Sequence, residues 1–482
     1  MVTITKQEYQ ELLAQKATIE LLKHQLAELQ RIIFGAKSER YIPSPANQTT
    51  LFELPEQEVA EMKTEEISYT RQKSDTKKQA LRLEIPSHLP RKEEVVEPDF
   101  LPEQAKKIGE NITEVLEYEP ANIYVRRIVR PKYIISQDDE QTHIITAELP
   151  NLPIPKGNAG ASLLAHILVS KFVDHLPFYR QTQIFKRQEL NISESTINGW
   201  FNASCRLLEP LYKTLKNQIL KADYLMADET PIPIQTKDKP GATHKGYYWV
   251  YYDPVHQLAM FDYNKTRGRE APDEILKDFS GHLQTDGYTA YNNLKNQRHI
   301  IQLACMAHAR RKFEHALDND RSRANWALNT IGKLYQIERS AKEQSLTRDE
   351  IYSLRQKDAK PILAELKSWL DKNINETLPK SAIGQAIAYT LTLWSRLERY
   401  IEDGKFKIDN NLIENSIRPV AIGRKNYLFA GSHDAAQQAA IIYSLLACCK
   451  MHEVEPLAYL TKVLDKISVH PANRLAELLP SK

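Results

Sequence analysis

The chain has 482 residues, enough for two to four domains, and 42% of them are hydrophobic, ample for buried cores. Its 65 lysines and arginines nearly balance 62 acids, for a net charge of +3, so any nucleic-acid affinity must come from local basic patches and not from global charge. Cys205, Cys305, Cys448 and Cys449 form no framework of spaced pairs, the start MVTITKQEYQELL has no signal-peptide core, and no apolar run approaches a membrane span, so the expectation is a soluble cytoplasmic protein.

The first segment reads as a helix with a seam. Leu12, Gln15, Ile19, Leu22, Leu26, Leu29 and Ile33 recur in steps of three and four, which predicts a self-associating coiled coil over residues 1–40, ended at Gly35. Residues 41–94 are rich in Pro, Glu, Lys, Gln and Thr and read as a linker. Within 95–150, NIYVRRIVRPKYIIS alternates apolar and polar residues and THIITAEL can pair back on it, predicting a small β module. Residues 159–220 are helical in pattern, with Pro177 stopping one helix and Ser193 as N-cap of another. The short turn ELNIS between two helices suits a helix-turn-helix; an ordinary helical bundle has the same pattern.

From Asp223 the period changes. YLMADETPIPIQ, GYYWVYYDP, LAMFDYNKT, HLQTDGYTAYNNL and HIIQLACMAHARRKFEHAL predict three strands in succession and then strand–helix alternation, a mixed-sheet α/β core, with Asp253-Pro254 as the turn between the second and third. Residues 314–403 are almost wholly helical, and a further helix past Ile408 should carry Glu414. Residues 221–313 and 404–482 flank this helical stretch.

Asp228 ends the run YLM and Asp286 ends HLQT, so both acids are expected to close strands, where sites form in open α/β sheets. Carboxylates at neighbouring strand ends ask for a cation, and Mg²⁺, which takes oxygen ligands, is a natural one; Glu414 on a helix facing the same spot would be a third ligand. Each acid also has a plain structural role open to it. Asp228 suits a turn or cap, Asp286-Gly287 a turn, and Glu414 an ion pair with Arg418 one helical turn on; Asp223, Asp262, Asp409 and Asp434 are rival acids. Two basic clusters, Arg310-Arg311-Lys312 and Arg418 with Arg424-Lys425, suit DNA phosphates or a solvated face.

The chain resembles bacterial DDE transposases of the insertion-sequence-66 family. The resemblance is carried by QLAELQRIIFGAKSERY, LLAHILVSKFVDHLPFYRQ, ADETPIPI, LQTDGYTAYN, CMAHARRKFEHAL and DNNLIENSIRPVAIGRKNYLFAGS, which fall in the family's order across most of the chain. It implies a ribonuclease-H-like core interrupted by the helical insertion 314–403, with Asp228, Asp286 and Glu414 as catalytic acids and ligands of Mg²⁺ or Mn²⁺. It implies metal-dependent cleavage and strand transfer of an insertion sequence, end recognition by the 159–220 helices, a homodimer or higher oligomer, helper proteins encoded by the same element, and a place at the bacterial nucleoid. Cys305-Met-Ala-His308 resembles the Cys/Asp-x-x-His signature of several DDE groups; half a zinc site with Cys448, Cys449 and His452 is the alternative. Many relatives carry two CxxC pairs before the helical region, but residues 81–150 contain no cysteine, so no structural zinc is expected there. A nuclease of the same fold and a catalytically inactive DNA-binding descendant are the other readings.

Overall fold

The computed structural model describes Ile123, the backbone of 132–136 and 142–146, and residues 151–481 apart from 156, 158, 237–241 and 297–298. The coiled coil expected over 1–40 and the linker expected over 41–94 lie outside these residues. The chain divides into two compact units, residues 39–149 and residues 1–38 with 150–482. In the first, β1 (Lys132–Ser136) pairs antiparallel with β2 (Thr142–Thr146), Ile134 opposite Ile144. These are the two runs whose alternation predicts pairing.

In the second unit, three helices come first: α1 (Ala161–Phe172), α2 (Phe178–Arg187) and α3 (Glu194–Ile219). Ser193 starts α3 as an N-cap, its hydroxyl accepting from the Thr196 amide at 3.1 Å. Along α3, Ile197, Phe201, Cys205, Leu208, Tyr212, Leu215 and Ile219 recur in steps of three and four and are buried. That stripe packs on the sheet and on a C-terminal helix, so these helices are continuous with the core.

The sheet has five strands: β3 (Tyr224–Gln235), β4 (Thr243–Asp253), β5 (Leu258–Asn264), β6 (Gly281–Thr285) and β7 (Ile300–Ala304). Their spatial order is β5-β4-β3-β6-β7; the first three form an antiparallel meander, and β6 and β7 add in parallel to β3. The Asp253 carboxylate closes the β4–β5 turn, accepting from the amides of Val255 at 2.9 Å and His256 at 3.1 Å. The short α4 (Glu270–Ile275) links β5 to β6. The mixed α/β class expected from the strand and helix pattern is therefore present.

β3 covers the whole predicted run YLMADETPIPIQ, so Asp228, expected to close a strand, lies inside one. Only Tyr224–Met226 pair with β6, while pairing with β4 runs on through Gln235. Asp228 thus lies at the end of the parallel ladder, not of the strand. Past that point one side of β3 has no strand beside it, which accommodates Pro231 and Pro233. There the Pro233 carbonyl accepts from the Ala430 amide at 2.9 Å.

Helices α5 (Met306–His315), α6 (Arg321–Glu343), α7 (Arg348–Leu354), α8 (Lys360–Asn373), α9 (Ala382–Thr392) and α10 (Trp394–Leu397) follow. Arg355, 1% exposed, ties them together. Its guanidinium donates to Glu338 at 2.8 and 2.6 Å and to the carbonyls of Tyr400, Asp403 and Phe406 at 2.8, 2.7 and 2.9 Å. Trp326 and Trp369 stack with centroids 4.5 Å apart. Then come α11 (Asn411–Tyr427), α12 (His433–Met451) and α13 (Pro456–Lys466). α12 lies along β5, where Ser444 Oγ accepts from the Phe261 amide at 2.8 Å. No helix among the described residues is long and apolar enough to cross a membrane.

Candidate active site

Three elements distant in sequence bring acids to one end of the β3–β6 ladder. Asp228 sits two residues past the last β6-paired residue of β3, and its Oδ1 accepts from the Glu229 amide at 2.8 Å. Asp286 follows the last residue of β6, its Oδ1 accepting from the Tyr288 amide at 2.8 Å, while its carbonyl accepts from Tyr389 Oη at 2.5 Å. Gly287, at φ +89°, makes that turn, and a Cβ there would meet Leu393 Cδ1 at 2.7 Å.

Glu414 arrives on the first turn of α11. The approach to α11 is pinned on three sides. The Gln284 amide on β6 donates to the Lys407 carbonyl at 2.8 Å. The Met306 amide donates to the Ile408 carbonyl at 3.0 Å, and the Asn410 amide donates to Cys305 Sγ at 3.2 Å. Cys305 is therefore a buried structural acceptor between β7 and α5, and burial pushes its thiol up to about 12.

The Asp228 carboxyl is held well above the usual carboxylate range. Burial is the main cause, followed by the charges of Glu229 and Asp286, with a smaller contribution from Glu414. Among the described residues neither Asp228 nor Asp286 has a basic side chain in ion-pair contact. Glu414 has Arg311, with Nη2 3.8 Å from its Oε1, and His308 Nε2 also lies 4.0 Å from that oxygen. The expected pair with Arg418 is not formed; Arg418 is exposed. Burial lowers the His308 pKa, reinforced by Arg311 and Lys312 and opposed by Asp286 and Glu414, so at neutral pH its ring is uncharged beside the acids.

Glu229 was not among the sequence candidates. Its side chain is 2% exposed and accepts from Arg267 Nε at 2.8 Å and Nη2 at 2.5 Å, and from Tyr291 Oη at 3.3 Å. Arg267 in turn stacks 4.0 Å from the centroid of Tyr288, two residues past Asp286. This pair lines the same acidic spot. The signal that could have found it is the doubled acid Asp228-Glu229 inside an otherwise apolar strand.

The rival acids have other work. Asp223 pairs with Lys405 at 2.5 Å, Asp262 accepts from Tyr212 Oη at 3.3 Å, Asp409 accepts from the Asn411 amide at 3.0 Å, and Asp434 lies in the first turn of α12. Of the basic candidates, Arg310 pairs with Glu314, and Lys312 Nζ lies 5.5 Å from the Tyr389 ring centroid. Arg424 Nη1 donates to Thr230 Oγ1 at 3.0 Å and to the Pro231 carbonyl, which fastens α11 to β3. Lys425 is exposed. The alternative zinc partners are far apart in the sheet: Cys305 follows edge strand β7, whereas Cys448 contacts Ala259 on the opposite edge, β5.

Asp228 and Asp286 offer carboxylate oxygens with no basic side chain in ion-pair contact, which fits a hard divalent ion such as Mg²⁺ or Mn²⁺ held by Asp228, Asp286 and Glu414. Among the described residues no three His, Cys, Asp or Glu side chains already converge closely enough to chelate one ion. Glu414, turned toward His308 and Arg311, is the arm that would have to swing in.

Comparison with known proteins bears on the whole chain. Residues 156–438 match the family model described as Transposase IS66 family, and 444–481 match the IS66 C-terminal element. Residues 21–93 match a model described as Transposase C of IS166 homeodomain. Three proteins of Sinorhizobium fredii, each named only as uncharacterized (y4jD, y4hP and y4qI), are 30%, 30% and 33% identical to the chain. The alignments span 95%, 96% and 94% of this chain and 94%, 88% and 87% of the relatives.

Proposed function

The chain belongs to the IS66 family of transposases, and from that premise we propose that it cuts and joins DNA by phosphoryl transfer at the Asp228, Asp286 and Glu414 cluster. The observation that carries the reading is the meeting of three acids from β3, β6 and α11 around Asp228, whose carboxyl is perturbed by both of the others. The strand order, with three antiparallel strands followed by two parallel ones, supports a ribonuclease-H-like core. The homeodomain match over 21–93 supports DNA contact from the N-terminal region, beside the helices of 159–220.

In the cleavage step a water oxygen attacks the scissile phosphorus in line, the bond to the 3′ oxygen breaks, and that oxygen leaves as a hydroxyl after taking a proton. In the joining step the freed 3′-hydroxyl attacks a phosphodiester of target DNA and displaces its 3′ oxygen, so one bond is exchanged for another without a redox partner. Asp228, Asp286 and Glu414 would hold a divalent metal, which when bound would lower the pKa of the attacking hydroxyl and stabilise charge on the leaving oxygen. Arg311, Arg418 and Lys425 face phosphate oxygens, positioning the backbone without reading sequence. A coiled coil over 1–40 would pair two copies, as holding two transposon ends requires.

The test uses labelled duplexes carrying the terminal sequences of the protein's own element. Cut and joined products with Mg²⁺ or Mn²⁺, absent in EDTA, are expected. Wild-type protein that binds these duplexes but never cuts them, with either metal, would contradict the proposal.

A further inference from the structure

A second feature lies at the other end of α11. A cavity of about 530 Å³ opens between α1, α3 and the N-terminus of α12, within the roughly 300–1,000 Å³ typical of small-ligand sites. Lys171 lines it. Its ammonium lies 3.7 Å from the Phe178 ring centroid, 5.9 Å from those of Phe172 and Phe201, and 5.6 Å from that of Tyr427. Among the described residues it has neither a carboxylate in ion-pair contact nor a hydrogen-bond acceptor. Burial pulls its pKa down to about 8 against the opposing charge of Glu194, so the surrounding rings and that carboxylate offset the cost of burying this cation only in part.

The rim adds two kinds of group. Asn202 and the exposed Arg206 project from α3 into the same space. On the loop after α11, Leu428 stands at φ +64° and is 64% exposed, and Phe429 is 39% exposed. A strained, solvent-facing apolar pair beside an aromatic-lined cavity is a surface without its partner. Buried cation, exposed ring and side-chain amide together match one chemistry: a phosphate, a flat heterocycle and its polar edge.

We propose that this cavity receives a single nucleotide everted from the DNA duplex, with its base stacked on Phe429, its polar edge at Asn202 and its phosphate at Lys171 and Arg206. The proposal rests on the reading that the chain processes DNA. Tyr427 lines the cavity on the same helix that carries Glu414, thirteen residues away, a separation of about 20 Å by the helical rise. That is about six base pairs of duplex, so eversion would occur within one DNA turn of the cut.

A mispaired base is already partly freed from its stack, so eversion at that position becomes easier. Binding is measured for duplexes of the element's terminal sequence carrying a single mismatch at each position in turn. One mismatch position is expected to tighten binding by about tenfold, equivalent to about 1.4 kcal/mol. That gain should fall below about twofold in Lys171→Met and in Phe429→Ala, while both still bind the fully paired duplex. Phe429 is at the surface and Lys171→Met removes an unpaired buried charge, so retained melting temperatures are expected and would show that both variants fold. The proposal is overturned if no mismatch tightens binding of a wild-type protein that binds the paired duplex, or if the gain survives in both variants. Wild-type protein that neither binds nor cuts any of these duplexes would instead remove the DNA-processing reading itself.

Discussion

At the scale of single residues, Asp228 is a buried acid pressed by two neighbouring carboxylates. Its raised pKa means that the folded state holds the carboxyl proton to higher pH than the unfolded chain does. The associated stability is fully present below the unfolded carboxylate range and is lost as pH rises through the raised value. In EDTA, the melting temperature is therefore expected to fall between acidic and neutral pH, and to fall less in Asp228→Asn. Mg²⁺ at neutral pH should restore wild-type stability and leave the variant unchanged; thermal melts across pH with and without metal check both. A variant with the same pH profile as wild type would show that Asp228 does not bear this strain. Glu229 makes a second prediction. Arg267→Ala strands a nearly buried carboxylate, with a loss of about 1–3 kcal/mol once the partial exposure of Arg267 is allowed for. Adding Glu229→Gln should recover part of it, as denaturant unfolding of the single and double variants would reveal. The Glu229–Arg267 contact was illegible in the sequence because it bridges two segments separated by 38 positions, with no local pattern joining them. Asp228, Asp286 and Glu414 were legible because each sits inside a long family-like block, not because of their spacing.

At the scale of elements, local chemistry was readable where it acts locally. Ser193 caps α3 and the Asp253-Pro254 turn joins β4 to β5, as side-chain capping and turn preferences dictate. The extent of β3 was readable as YLMADETPIPIQ, but not that its pairing with β6 ends at Met226, which places Asp228 inside the strand and leaves room for two prolines. The contacts that deliver Glu414 were also hidden: they join Gln284, Met306 and the Cys305 sulfur to residues about a hundred or more positions later. Two substitutions test the elements. Gly287→Ala forces a side chain into a left-handed turn against Leu393, with an expected loss of about 1–3 kcal/mol and displacement of Asp286, read as lost stability together with weaker Mg²⁺ rescue. Arg355→Ala removes five hydrogen bonds among the helices α6–α10 and leaves Glu338 without that guanidinium. It should destabilise by about 3–5 kcal/mol in denaturant melts; a loss below about 1 kcal/mol would mean that these helices are held otherwise.

At the scale of the whole molecule, the near-neutral composition leaves local patches as the source of the proposed DNA affinity. Binding should weaken steeply with salt, and Arg311→Ala and Lys425→Ala should each reduce the log–log salt slope by about one, since each would remove one phosphate contact. A slope unchanged in both variants would take these side chains off the DNA path. The proposed function makes one central claim, that acids from β3, β6 and α11 act as a single site. The most direct measurement is cutting and joining of end duplexes in Mg²⁺ by wild type, Asp228→Asn, Asp286→Asn and Glu414→Gln, with DNA binding followed in parallel. The account predicts joined product from wild type alone and binding by all four proteins. Joined product from Glu414→Gln would contradict it, because the helix that carries this glutamate would then have no part in the chemistry.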